Sequence, residues 1–314
     1  MTPADAQDTG SQDADPQLAR WRRFRTNRDA ALATEYGWLT LTSFQWLAHE
    51  ASALELVPGL WWTDGTTAFL TAAATDGLTL VETGEPVDGT ISAVLADEES
   101  LIWVQFGGPD GTRARVELAM RGGKYAIRTR DSRSPVFTGF SGVPTFGYRP
   151  DLAVEARFEP YPEPVDVPIG TANPLVDGVH RSVGELAFRL PGSNHEYRLQ
   201  AEEEKLGALT VTFHDETNGD TTDEWRKVST ARPRVDSLGN RTVVLDFNRA
   251  INYPSAFTPY GTCPMPVKNN SLDYRIEAGE KCPTAPRRTP PETDRRSALR
   301  PCQGRVPRRS PRPR

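Results

Sequence analysis

From Tyr36 to about Gly279 the chain alternates apolar and polar residues in short runs. These are "WLTLTSFQWL" (38–47), "TTAFLTAA" (66–73), "LTLVE" (78–82), "TISAVLA" (90–96), "LIWVQFG" (101–107), "TRARVELAMRGGKYAIRTRD" (112–131), "LAVEARFEPY" (152–161), "GELAFRL" (184–190), "HEYRLQAEEE" (195–204), "LGALTVTFHD" (206–215) and "RTVVLDFN" (241–248). Period-two alternation of β-branched and aromatic residues, broken by Gly, Pro, Asp and Asn, predicts short strands. Many such strands joined by turns predict a mainly β fold, with two packed antiparallel β-sandwich or barrel halves. The Pro-rich stretch "YPEPVDVPIGTANP" (161–174) reads as a linker or crossover, which gives residues 16–160 and 161–281 as the two halves.

One segment has a different period. In "DPQLARWRRFRTNRDAALATEYG" (15–37), Leu18, Trp21, Phe24, Arg28 and Leu32 recur every three or four residues. Asp15 suits a helix cap, Pro16 the first helical position and Gly37 an ending, so a surface helix with solvated arginines is expected.

Composition excludes several classes. Of the 314 residues, 37% are hydrophobic and 25% charged, the balance of a globular chain. No apolar run reaches the roughly 20 residues of a membrane span, and the acidic opening lacks secretory-signal character, so a cytoplasmic protein with no membrane partner is expected. Charge is unevenly placed. Residues 282–314 hold 10 Arg and 2 acids, a local +8, which leaves −13 on the rest of a chain of net charge −5. An acidic body disfavours nucleic acid, which is left at most a weak contact through the basic tail. Residues 1–15 and 282–314 are too poor in apolar groups to fold and are expected to be disordered; the tail's Arg and Pro content also fits readthrough of GC-rich DNA.

Chemistry is sparse. Common nucleophile, zincin, dinucleotide and phosphate-loop patterns are absent, any cofactor is unknown, and the four histidines lack ligand spacing. Three cysteines without a C-x-x-C pair favour neither a zinc site nor a disulfide framework. Two clusters stand out. "FHDETNGDTTDEWRKV" (213–228) offers Asp215 and Arg226 around an Asn218-Gly219 turn. "VLDFNRAINYPSAFTPYGTCPMPVKNN" (244–270) places Asp246, Asn248, Arg249 and Asn252 at a strand end, before prolines that force a stiff irregular loop. Such loops present polar groups to ligands, although Asp and Asn also cap their own turns.

"WRRFRTNRDAALATEYGWLTLTSFQWL" (21–47), "FTGFSGVPTFGYRPDLAVEARFEPY" (137–161) and "LDFNRAINYPSAFTPYGTCPMPVKNNSLDYRIEAGEK" (245–281) resemble the bacterial and archaeal domain of unknown function 1684 family, which has no established activity. This chain departs from the family pattern. Ser255 stands where the resemblance implies a second cysteine beside Cys263, Ser271 where it implies arginine, and Asp223 where it implies tyrosine.

These readings converge on a small molecule held in the second half. Asp246 and Cys263 are the candidate catalytic groups, with hydrolysis the expected reaction if there is one. Asn248, Arg249, Asn252, Asp215, Arg226, Asn270 and Glu280 are the candidate substrate-binding groups. The alternative is a non-catalytic β-sandwich whose surface recognises another protein, with the basic N-terminal helix and the tail adding contacts.

Overall fold

The computed structural model describes residues 15–107 and 113–283. The expected leader up to residue 14 and the tail from residue 284 lie outside the described residues. Helix α1 (Pro16–Leu32) starts where the capping chemistry placed it, with the Asp15 carboxylate accepting from the Gln17 N–H at 2.8 Å. It stops at Leu32 and Ala33 caps it, so Gly37 is not its end; Gly37 instead opens a short 3-10 turn. No described helix is long and apolar enough to cross a membrane.

The first half contains β1 (Leu41–Trp46), β2 (Ser52–Leu54), β3 (Val57–Thr63), β4 (Ala68–Ala72), β5 (Thr79–Leu80), β6 (Gly89–Ala93), β7 (Ser100–Gly107), β8 (Arg113–Arg121) and β9 (Lys124–Asp131). The order β1-β9-β8-β7-β5 forms one antiparallel sheet and β2-β3-β4-β6 another. Between them Trp61, Leu70, Val104, Val116, Leu118 and Ile127 form a dry core. The β8–β9 hairpin turns at Gly122 and Gly123, whose φ of 55° and 71° other residues rarely adopt.

After the short α2 (Pro135–Thr138) come β10 (Ala153–Ile169), β11 (Gly178–Arg189), β12 (Glu196–Glu203), β13 (Leu209–Asp215), β14 (Arg226–Ser229), β15 (Arg234–Val235), β16 (Arg241–Asp246), β17 (Ile251–Asn252) and β18 (Ser271–Leu272). They build the order β15-β16-β10-β11-β12-β13-β14-β17, with β18 parallel to β13. One face of this half-barrel is apolar: Leu186, Phe188, Leu199, Val211, Phe213 and Leu245 pack under Phe247, Ile276 and Ala278.

The Pro-rich stretch is not a linker. It forms the second part of β10, so a division between residues 160 and 161 falls inside a strand. Its prolines are tolerated because β16 pairs only with Ala153 to Arg157, leaving the later residues a partner on the β11 side alone, across a register shift between Pro160 and Val165. The protein is therefore mostly β, as its alternation predicts, with three antiparallel sheets and an N-terminal helix.

Candidate functional site

The strand-end residues serve the scaffold. The Asp246 carboxylate accepts from the Asn248 N–H at 3.0 Å and from the Asn248 side-chain amide at 2.9 Å. Asn248 is wholly buried, and its amide exchanges 2.7 Å hydrogen bonds with the backbone N–H and carbonyl of Arg149, while its own carbonyl accepts from Trp21 Nε1. Arg249 is exposed, with its guanidinium 4.5 Å from the Phe24 ring centroid. These contacts tie the end of β16 to α1 and to the segment before β10; they leave Asp246 occupied as a cap.

The remaining polar candidates are mainly internal ties, with Asn252 Oδ1 left buried and without a partner. Arg226, fully buried, donates to Asp215 Oδ2 at 2.7 Å and to the carbonyls of Ile276, Ala278 and Glu280. Asp215 further accepts from the Thr217 and Ile276 N–H groups. Glu280, also fully buried, receives Arg25 at 2.9 Å and Arg28 at 3.0 Å on one oxygen and the Asn252 N–H at 2.7 Å on the other. The arginines of α1 are thus not all solvated: Arg25 and Arg28 dock the helix, and Arg28 also reaches the Asn252 carbonyl. Asn270 fills the splay between β12 and β13, bonding both backbone groups of Gln200 and the Thr212 carbonyl.

Cys263 has a different setting. The outer face of the second sheet carries a polar row, Ser182, Glu202, Thr210 and Ser229, set side by side by the strand register, with Thr212 opposite Lys227 in the next row. The loop at 253–267 lies over this face. Tyr253 Oη meets Thr212 Oγ1 at 2.6 Å, Lys227 Nζ sits 5.3 Å from the Tyr253 ring, and Trp225, Tyr253 and Cys263 pack with Ala172 and Met265. His180 Nδ1 stands 3.4 Å from Glu202. Around this layer four buried polar atoms lack partners: His180 Nε2, Gln200 Oε1, Trp225 Nε1 and Ser255 Oγ. Burial pushes the Cys263 thiol up, against the backbone hydrogen bond of Ser255 and the Arg128 and Lys227 charges that pull it down, and burial likewise raises the Tyr253 phenol. A thiol held protonated is a poor nucleophile.

At its far side the loop touches the first sheet, where Thr262 Oγ1 accepts from Arg128 Nη2 at 3.2 Å. Among the described residues no group of three His, Cys, Asp or Glu is placed to hold a metal ion. Open grooves on the second sheet run along Phe158, Leu206 and Val235, and along Tyr197, Glu216 and Asp273. Only Asp215 among the candidates borders one of them, and its carboxylate is turned inward to Arg226.

Of the expected site residues, the structure places only Cys263 in the polar layer. His180, Gln200, Glu202, Trp225, Lys227, Tyr253 and Arg128 escaped the sequence reading. Their signal was weak: alternate polar positions on strands look the same whether they meet water or a covering loop.

Residues 138–281 match the family model described as Protein of unknown function (DUF1684). The match spans β10 to β18 and the whole covering loop. A solved structure, the solution NMR structure of an uncharacterized protein of Haloarcula marismortui, is 28% identical over 46% of this chain and 78% of that one, with a TM-score of 0.38. No curated protein matches.

Proposed function

We propose that the protein binds a small polar molecule, without covalent chemistry, in the layer between the outer face of the second sheet and the loop at 253–267. One observation carries this reading: of the buried polar atoms without partners among the described residues, four belong to residues of this sheet face and its covering loop, His180, Gln200, Trp225 and Ser255. Each such atom costs about 1–3 kcal/mol unless something meets it, and a bound molecule with matching donors and acceptors would do so. Trp225 and Tyr253 add flat apolar walls, a usual feature of small-molecule sites. Binding is favoured over hydrolysis because burial keeps the Cys263 thiol protonated and Asp246 Oδ1 caps its own turn, away from Cys263 and the polar layer. The rival reading, a β-sandwich surface that recognises a protein with added contacts from the basic helix, loses two of those contacts, since Arg25 and Arg28 are engaged by Glu280.

The test is native mass spectrometry of the gently purified full chain, combined with thermal unfolding against a small-molecule panel. A copurifying adduct, or a compound that raises Tm, should be lost in Ser255→Ala and Trp225→Phe, while free Ser255→Ala stays as stable as the parent or gains stability and free Trp225→Phe loses only what its smaller ring no longer fills. Compounds that stabilise parent and both variants equally would place binding elsewhere and end the proposal.

A further inference from the structure

Under the rim of the same layer, the first sheet buries more positive than negative charge. Arg128 is 0% exposed, Glu117 3% and Arg130 7%, all on one face of the β8–β9 hairpin. Glu117 takes Arg128 Nη1 at 3.0 Å on one oxygen and Arg130 Nε at 2.8 Å on the other. One carboxylate therefore serves two guanidinium groups. Arg121, 9% exposed, adds a third cation whose nearest carboxylate, on exposed Glu98, is 3.7 Å away. Arg130 is otherwise satisfied, donating to the carbonyls of Tyr36 and Gly37 at 2.9 and 2.8 Å. Arg128 is not. Of the five N–H bonds of a guanidinium, one goes to Glu117 and one to Thr262, and its buried Nε has no acceptor.

A buried charge without a counter-charge is costly, and water can hydrogen-bond it without neutralising it. Burial itself pushes the Arg128 guanidinium below its ordinary value; Glu117 opposes this, while Arg121 and Arg130 add to it. An anion at the free edge would relieve all of these. The surroundings also suit a flat molecule: the Phe44 and Trp38 rings lie 5.2 and 5.7 Å from the guanidinium, and Trp38 and Phe44 are both partly open to solvent. A planar carboxylate matches the side edge of a guanidinium with two parallel bonds.

We propose that Arg128 anchors the carboxylate of the bound molecule, so that the site's ligands are small planar organic acids whose body lies in the polar layer and whose carboxylate reaches past the Thr262–Cys263 segment of the loop to the first sheet. This rests on the reading of the polar layer as a binding site. It adds charge to a site whose unpartnered atoms alone would equally suit a neutral molecule.

The experiment is thermal unfolding of the full chain at fixed ionic strength with benzoate, benzamide or inorganic phosphate, in the parent, Arg128→Gln and Ser255→Ala. Benzoate should raise Tm in a saturable manner, benzamide and phosphate at least tenfold more weakly by concentration, and Arg128→Gln should abolish the benzoate shift. Arg128→Gln should remain folded, because Glu117 keeps Arg130; circular dichroism checks this, and Arg128→Lys, which keeps the charge but loses the side edge, supplies a second folded variant with a reduced shift. Equal shifts from benzoate and phosphate would mark an adventitious ion only and overturn the proposal. A shift from benzamide or another neutral compound that Ser255→Ala removes and Arg128→Gln does not would overturn the carboxylate assignment while leaving the polar layer as a binding site. No shift from benzoate would overturn the carboxylate assignment, and the polar layer then stands or falls on the adduct and the wider panel.

Discussion

Arg226 and Arg128 are both fully buried, yet their surroundings set them apart. Arg226 donates to five oxygens, one of them on a carboxylate, so its charge is matched within the fold even though its Nε, like that of Arg128, has no acceptor. Removing it would strand the Asp215 carboxylate and three carbonyls away from water. Arg226→Met should therefore cost about 3–5 kcal/mol, read from the urea midpoint, in line with breaking a buried ion pair from one side. A loss below about 1 kcal/mol would show that water reaches Asp215. Arg128→Gln, by contrast, leaves a balanced Glu117–Arg130 pair and should shift the midpoint far less. The sequence drew attention to Asp215 and Arg226 but not to what they face: a polar side chain beside a turn has the same local context whether it caps the chain or a ligand. Asp246 and Asn248 show this most plainly, since one accepts from the other and Asn248 then bonds a backbone 99 residues away.

At the level of elements, short-range chemistry was legible and long-range partnership was not. The start of α1, the hairpin at Gly122–Gly123 and most strands follow from caps, positive φ and alternation. The Pro-rich half of β10 did not, because a proline breaks a strand only where its missing N–H is needed, and there one side lacks a neighbour. The inward turn of Arg25 and Arg28 was equally hidden, since Glu280 lies 255 residues from Arg25. That ion cluster makes a specific expectation for α1. Glu280→Gln removes the carboxylate charge that holds both arginines of the helix while keeping an acceptor for the Asn252 N–H. Hydrogen exchange of α1 amides should speed up at least tenfold, with the amides of β11 and β12 unchanged. Uniform acceleration across the sheets would show instead that helix and sheets open as one unit.

The two sheet systems of the whole molecule meet through few polar contacts, and Arg128 to Thr262 is one of them. Charge burial at this seam ties overall stability to pH through Glu117. Burial alone would raise that carboxyl, but Arg130 and then Arg128 outweigh it and hold it below its ordinary value of 4.5. A carboxyl depressed on folding contributes stability that is fully present above its unfolded value and is lost as pH falls through the folded one. The parent should therefore exceed Glu117→Gln in Tm by a constant margin from pH 7 down to about 5, and the margin should shrink below pH 4.5 as the parent's carboxyl takes up its proton. Exposed carboxylates held low by hydrogen bonds and ion pairs, such as Asp64, Asp151 and Asp236, are common to both proteins and cancel in the difference. A margin that stays level to pH 3 would mean that Glu117 gains nothing from its arginines. If benzoate also binds as inferred, it should widen the parent's acid range only while it remains ionised itself, because a neutral acid offers Arg128 no counter-charge.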